Sequence, residues 1–281
     1  MGWDVRRSSW IAGVVVVVLS VVGGIVGLAN SDQWSSSCSG GVSRGSAADD
    51  VARSVRENLP SFSEGTSVSV EVVDLDACAE IARLDADSGF PTASVVKLLI
   101  AIDAVERSGG DTADGEIERM LSASDDDVAS RLWTANGGPD IVRRVAAKLE
   151  LTDTAPPRSS GRWGSTRMSA SDVARVYRYL AVEADADTRT LLLDAMGQAS
   201  GVAEDGFPQH FGIPGGLPGH RWAIKQGWGS TETDTVLHTT GLVRGDHDFV
   251  VVLLSTWPRD TDWAVARSAL TEAVRSLDGI V

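Results

Sequence analysis

The chain has little with which to hold a metal: two cysteines, Cys38 and Cys78, and four histidines, His210, His220, His238 and His247, in 281 residues. None of these falls at zinc-ligand spacing, so no metal and no other cofactor is expected. Within residues 47–281 there is no Gly-x-Ser-x-Gly elbow, which argues against a Ser-His-Asp hydrolase. Positive charge is also scarce, with 25 Lys and Arg against 39 Asp and Glu. The net charge is −14, or −15 beyond Ala29, because the first 29 residues carry two Arg and one Asp. Such a surface repels nucleic acid, which is excluded as a partner.

One long segment lacks charge altogether. Trp10 to Ala29 is a run of 20 apolar or small residues preceded by Arg6 and Arg7, long enough for one membrane span with the N-terminus in the cytoplasm. Residues 1–29 are therefore expected to be a signal peptide, cleaved after Ala29, or an N-terminal membrane anchor that leaves the rest outside the cytoplasm. Cys38 lies nine residues further on, behind Ser35, Ser36 and Ser37, a poor context for lipidation. In an oxidising compartment it is instead a disulfide candidate with Cys78.

Residues 30–46 are rich in Ser and Gly and read as a tether, and the domain is expected over 47–281. Alternation predicts strands at 67–74 and 79–84, after a helix at 47–59. From about 112 to 202 the period is helical. After a Gly- and Pro-rich loop, three strand patterns follow (221–226, 235–243 and 249–255), then a last helix at 263–276. Two strands early and three late, with helices between, predict an α/β (α+β) fold: a mixed antiparallel sheet with helices on its faces and a helical subdomain.

Lys97 stands out in this frame. It lies in Ala93-Ser94-Val95-Val96-Lys97-Leu98-Leu99-Ile100-Ala101-Ile102, apolar almost all round at helical period, so the spacing predicts a central buried helix. Ser94 falls one turn back on the same face. The pair spells Ser-x-x-Lys, in which a desolvated lysine can take the proton of a serine nucleophile.

Further motifs follow in order: Ser124-Asp125-Asp126, and Lys225-Gln226-Gly227 on the strand after the long loop. With these, residues 47–281 resemble the penicillin-recognising serine enzymes, most closely the class A β-lactamases and D,D-peptidases. The resemblance implies a β-lactamase/transpeptidase-like fold in which Ser94 attacks a carbonyl and Lys97 helps to activate it. Ser124 would pass a proton to the leaving nitrogen, Lys225 would fix the substrate carboxylate and hold the field positive, and Asp126, Gln226, Gly227 and Trp228 would bind the substrate. It also implies an oxyanion hole from the backbone N–H groups of Ser94 and Trp228, with substrate lying along Arg221–Trp228.

The departures are chemical. Asp126 stands where the family has an amide, cannot donate when ionised, and is expected to hold Lys97 protonated. An alternative register, with Ser122 as the first serine, would avoid it. Gln226 replaces a hydroxyl residue, and Leu151–Ser165 contains no glutamate for deacylation, only Asp153. The expected function is an exported monomeric serine hydrolase that is acylated by a D-alanyl peptide or β-lactam and deacylates weakly. The alternative is an inactive relative that binds cell-wall material or a protein partner.

Overall fold

The computed structural model describes residues 64–108 and 114–281, together with the backbone of Ser43–Arg44. These lie within one compact unit, Trp34–Val281. The expected export segment, most of the tether, Cys38 and the helix expected at 47–59 lie outside the described residues. Among the described residues, no helix is long and apolar enough to cross a membrane.

The strands are β1 (Ser43–Arg44), β2 (Ser67–Asp74), β3 (Ala79–Leu84), β4 (Phe90–Pro91), β5 (Arg167–Met168), β6 (Arg221–Ile224), β7 (Gly227–Ser230), β8 (Asp234–Arg244) and β9 (Asp248–Pro258). The main sheet runs β1-β3-β2-β9-β8-β6, with β7 also on β8. Its pairs are antiparallel except the parallel β1–β3 contact, which makes the sheet mixed. The first hairpin pairs with the last, as Ser67–Asp74 lies along β9 from Thr256 to Phe249.

Alternation along β9 explains the layering. Val250, Val252 and Leu254 belong to one core, shared with the helical block, while Phe249, Val251, Leu253 and Trp257 belong to a second. The second core is closed by α8 (Trp263–Arg275) and by Phe211, Ile213 and Leu217. A strand covered on both faces needs apolar residues in an unbroken run, and Val250-Val251-Val252-Leu253-Leu254 supplies it.

The helical block contains α1 (Lys97–Ser108), α2 (Asp114–Ser122), α3 (Asp126–Ala135), α4 (Pro139–Leu149), α5 (Ala170–Arg178) and α6 (Ala186–Gly197), with the short α7 (Ile213–Gly216) after the loop. At its centre, Leu98 to Ile102 of α1 are all buried, as the all-round apolar pattern predicts. Asp125 caps α3 by accepting from Val128 N at 2.9 Å, which fixes where that helix starts.

One edge of the sheet differs from expectation. The strand expected at 221–226 stops at Ile224, and a further short strand, β7, follows at Gly227–Ser230, both on β8. Between them Lys225 N still reaches Thr240 O at 3.0 Å, whereas Thr240 N is met by the side-chain Oε1 of Gln226 at 3.3 Å. A side-chain amide thus takes the place of a ladder carbonyl, and the strand is interrupted there.

Candidate active site

Ser94 sits in a 3₁₀ turn, Ala93–Val96, immediately ahead of α1, so the helix proper starts at Lys97 rather than upstream of Ser94. The turn keeps the i, i+3 relation that eclipses side chains, and Lys97 Nζ lies 3.0 Å from Ser94 Oγ. Ala93, just before the serine, has φ +46° and Ser124 has φ +56°, left-handed values in which non-glycine residues are uncommon. Gly227 is required by close approach: a Cβ there would stand 2.8 Å from the Thr92 carbonyl oxygen. The turn bearing Ser94 therefore packs directly on β7.

Lys97 is fully buried and has four oxygen neighbours. Besides Ser94 Oγ they are Ser124 O at 2.6 Å, Ser124 Oγ at 3.0 Å and Asp126 Oδ1 at 2.5 Å. The carbonyl and the carboxylate are acceptors only. In a neutral amine they take the two N–H bonds, and the lone pair is then free to accept from a hydroxyl. Burial lowers the pKa of Lys97 from its ordinary value, with the Asp126 charge opposing it. Desolvation outweighs an acid whose own side chain is 63% exposed, so the net shift is downward although Asp126 opposes it.

Lys225 lies behind Ser124, its Nζ 2.9 Å from Ser124 Oγ and 3.1 Å from Gln226 O. Burial and the charge of Lys97 push its pKa well below the lysine range. Ser124 Oγ accepts from Lys225 and stands within hydrogen-bond reach of Lys97, close enough to exchange a proton with it. Ser122 donates to Glu118 O instead, whereas Ser124 is the serine that both lysines approach.

The other expected site residues divide. Trp228 lines the cleft with Ser94 and Asp126, but Gln226 is fully buried and donates to Gln209 O at 3.1 Å and Phe211 O at 2.9 Å. It therefore cannot meet a ligand, contrary to expectation, because the strand break turns its amide into the fold. The cleft, about 880 Å³, follows β7 and Thr231 rather than β6. Cys78 is disulfide-bonded.

Several other residues shape or border the site. Trp163, on the glutamate-free loop Leu151–Ser165, faces Lys97 Nζ at 5.1 Å from its ring centroid and donates to Ser130 Oγ at 3.2 Å. Asp153, the only acid of that stretch, is not on the cleft. Tyr177 OH accepts from Lys225 N at 3.0 Å, tying α5 to the sheet behind the lysine. His238 accepts from Ser255 N on Nδ1 at 3.0 Å, so Nε2 carries the proton donated to Pro91 O at 2.7 Å. It thereby ties β8 to the approach to Ser94. Asp205 also lines the cleft and accepts from Trp228 Nε1 at 2.8 Å. Isolated aromatics and acids carry no spacing signal, so only the folded chain reveals them.

No family model matches the chain. LppW of Mycobacterium tuberculosis, named as a lipoprotein, is 35% identical over 223 residues, covering 76% of this chain and 70% of LppW. The chain belongs to the LppW family. Among solved structures, this LppW-family chain is similar to the extended-spectrum β-lactamase TLA-3, with a TM-score of 0.71 and 14% identity over 83% of this chain and 99% of the other. It is also similar to PBP-A, with a TM-score of 0.67 and 16% identity over 82% and 95%. At such identities the likeness establishes the fold: this LppW-family member has the β-lactamase/penicillin-binding architecture expected from its motifs.

Proposed function

We propose that this chain is an exported serine hydrolase that forms an acyl-enzyme on Ser94 with a D-alanyl peptide or β-lactam type donor and releases it slowly. The observation that carries the reading is the position of Lys97 Nζ, 3.0 Å from both Ser94 Oγ and Ser124 Oγ, in a buried site where desolvation lowers its pKa. Neutral Lys97 accepts the Ser94 proton as Oγ attacks the acyl carbon, and the bond to the leaving nitrogen breaks as that nitrogen takes a proton from Ser124. Lys97 then returns its proton to Ser124, which restores the hydroxyl. General-base assistance of this kind contributes about 10²–10⁴-fold.

Slow release follows from what surrounds the ester. Deacylation needs a base to activate water, and the loop beside Lys97 offers the Trp163 indole, which has no basic atom. Asp126, the nearby carboxylate, is bound to Lys97. Export is supported by the charge-free run Trp10–Ala29 and by LppW, whose name places it among lipoproteins.

A second reading, a non-catalytic binder on this fold, is favoured by the 2.5 Å Lys97–Asp126 ion pair, which stabilises the charged lysine. Intact-mass spectrometry of the full chain with a neutral fluorophosphonate and with benzylpenicillin separates the two. A mass gain lost in Ser94→Ala supports the hydrolase; an unmodified protein with both reagents supports the binder.

A further inference from the structure

The side chains around the cleft are unevenly charged. Asp126 comes from the N-terminus of α3, Asp205 from the loop before α7, and Glu232 from the turn between β7 and β8, and all three line the space in front of Ser94. Two arginines share it. Arg259 is engaged with the carbonyls of Thr231 and Glu232, at 2.7 and 2.5 Å. Arg162 stands where the cleft meets an adjoining groove that it also lines. The two lysines are buried behind Ser124, and burial lowers both pKa values.

Asp205 is the best fixed of the three acids. Its Oδ1 accepts from Phe207 N at 2.9 Å and its Oδ2 from Trp228 Nε1 at 2.8 Å. The loop that carries it is closed by Ala203 N to Phe207 O and Gly206 N to Ala203 O, both 2.9 Å. Glu204 N to Ala123 O at 2.9 Å fastens it to the residue before Ser124. Phe207 stacks on the Trp228 ring with centroids 4.8 Å apart. The negative charge is therefore held on the rim beside Trp228, where its field reaches both Lys97 and Lys225. An anionic group arriving on the Lys225 side of the scissile bond meets Asp205 and Asp126 before it meets an ammonium. A neutral or cationic group meets no such opposition.

We propose that the cleft selects acyl donors without a carboxylate on the leaving side, preferring neutral or cationic amides and esters to their anionic counterparts, and that Asp205 is the residue that sets this preference. The proposal rests on the acyl-transfer reading above and narrows its donor: among D-alanyl and β-lactam type donors it favours those whose leaving-side carboxylate is amidated or esterified. The reaction is the same: the Ser94 Oγ–carbon bond forms, the bond to the leaving nitrogen or oxygen breaks, and the leaving atom receives the proton from Ser124. Only the charge borne by the leaving fragment is selected.

The test uses matched pairs, benzylpenicillin with its methyl ester and an N-acyl-D-alanyl-D-alanine with its C-terminal amide. Ser94 acylation is timed by intact mass in the full-length chain and in Asp205→Asn. In the wild type the uncharged member of each pair should acylate at least tenfold faster. Asp205→Asn, which keeps an acceptor for the Trp228 N–H, should speed the carboxylate member at least tenfold more than it speeds the uncharged one, because any effect of the lost charge on Lys97 is common to both members of a pair. Should that variant fold poorly, raising the wild type from 20 to 500 mM salt should speed only the carboxylate member. Wild-type preference for the carboxylate member, or a preference indifferent to both Asp205→Asn and salt, overturns the proposal while acylation itself stands. If neither member of either pair acylates, the proposal falls. Fluorophosphonate labelling of Ser94 then shows whether serine reactivity survives it or the acyl-transfer reading falls as well.

Discussion

Replacing Asp126 with asparagine should make Ser94 acylate faster, an unusual expectation for a side chain in contact with the proposed base. The carboxylate Oδ1 lies 2.5 Å from Lys97 Nζ and stabilises the charged amine, which cannot accept the serine proton. A unit charge pair at about 4 Å is worth about 1 kcal/mol in water and about 4 kcal/mol at an effective dielectric of 20. With the Asp126 side chain 63% exposed, solvent screens the pair toward the lower figure. Its removal then favours neutral Lys97 by about 1–1.5 kcal/mol, or about tenfold. Asparagine keeps an oxygen that can accept an N–H from Lys97, so the amine stays oriented. The assay is the acylation rate by intact mass with a neutral donor between pH 5.5 and 9. The wild-type rate should rise with pH as Lys97 loses its proton, and Asp126→Asn should move that rise to lower pH, giving about a tenfold gain near neutrality. A gain at all pH values with an unmoved midpoint would mean that the new amide acts on the substrate instead. No gain, or a loss, would refute the electrostatic argument.

Four further expectations follow from the same geometry. Ser94→Ala should abolish the adduct while leaving the melting temperature within a few degrees, since it removes one hydroxyl from a buried amine that keeps three other oxygen partners. Gly227→Ala should cost about 1–3 kcal/mol of stability and suppress acylation, because its Cβ would press on the Thr92 carbonyl oxygen and displace the Ser94 turn; an unchanged rate would show that the turn tolerates the shift. Burial raises Glu71 to about 7 despite its 2.9 Å contact with Arg83, so its stabilising contribution is full below about pH 4.5 and is lost as pH rises toward 7. Burial lowers His238 to about 4, so its contribution is full above about pH 6.5 and is lost as pH falls toward 4. The two oppose each other over nearly one window, and Glu71→Gln should expose a steeper acid loss of stability below pH 6.5; parallel melting curves for the two proteins would refute this. Finally, non-reducing peptide mapping should find Cys78 joined to Cys38, a bridge worth about 3–4 kcal/mol by loop closure and one that leaves Cys38 no thiol for a lipid; a free or lipidated Cys38 would refute it.

Much of the frame was legible because it rests on periodicity. Alternating Val68, Val70 and Val72 marked β2, and the all-round apolar run after Ser94 marked the buried helix that holds Lys97. Ser94, Lys97, Ser124 and Lys225 are legible from motif order, and the fold links them in that order, each within hydrogen-bond reach of the next. Gln226 misled because strand alternation assumes an unbroken ladder; its side chain instead completes the hydrogen bonding at the break between β6 and β7. The net direction of the Lys97 pKa lay beyond the sequence, which shows a neighbouring acid but not the balance between that acid's exposure and the lysine's burial. Asp205 was out of reach for another reason: its role depends on a loop folding back onto Trp228, and no residue spacing encodes that contact.

The left-handed backbone at Ala93 bears on how the chain would respond to selection. A non-glycine residue there carries about 1–2 kcal/mol of steric strain, which glycine would relieve. Glycine would also add about 0.5–1 kcal/mol of conformational freedom to the unfolded chain, so the two effects largely cancel. A screen for heat resistance would therefore score this position as tolerant. A screen for acylation would see it differently, because a freer residue loosens the turn that aims Ser94. Variants improved only for thermal endurance could thus accumulate disorder beside the nucleophile with no warning from their melting curves.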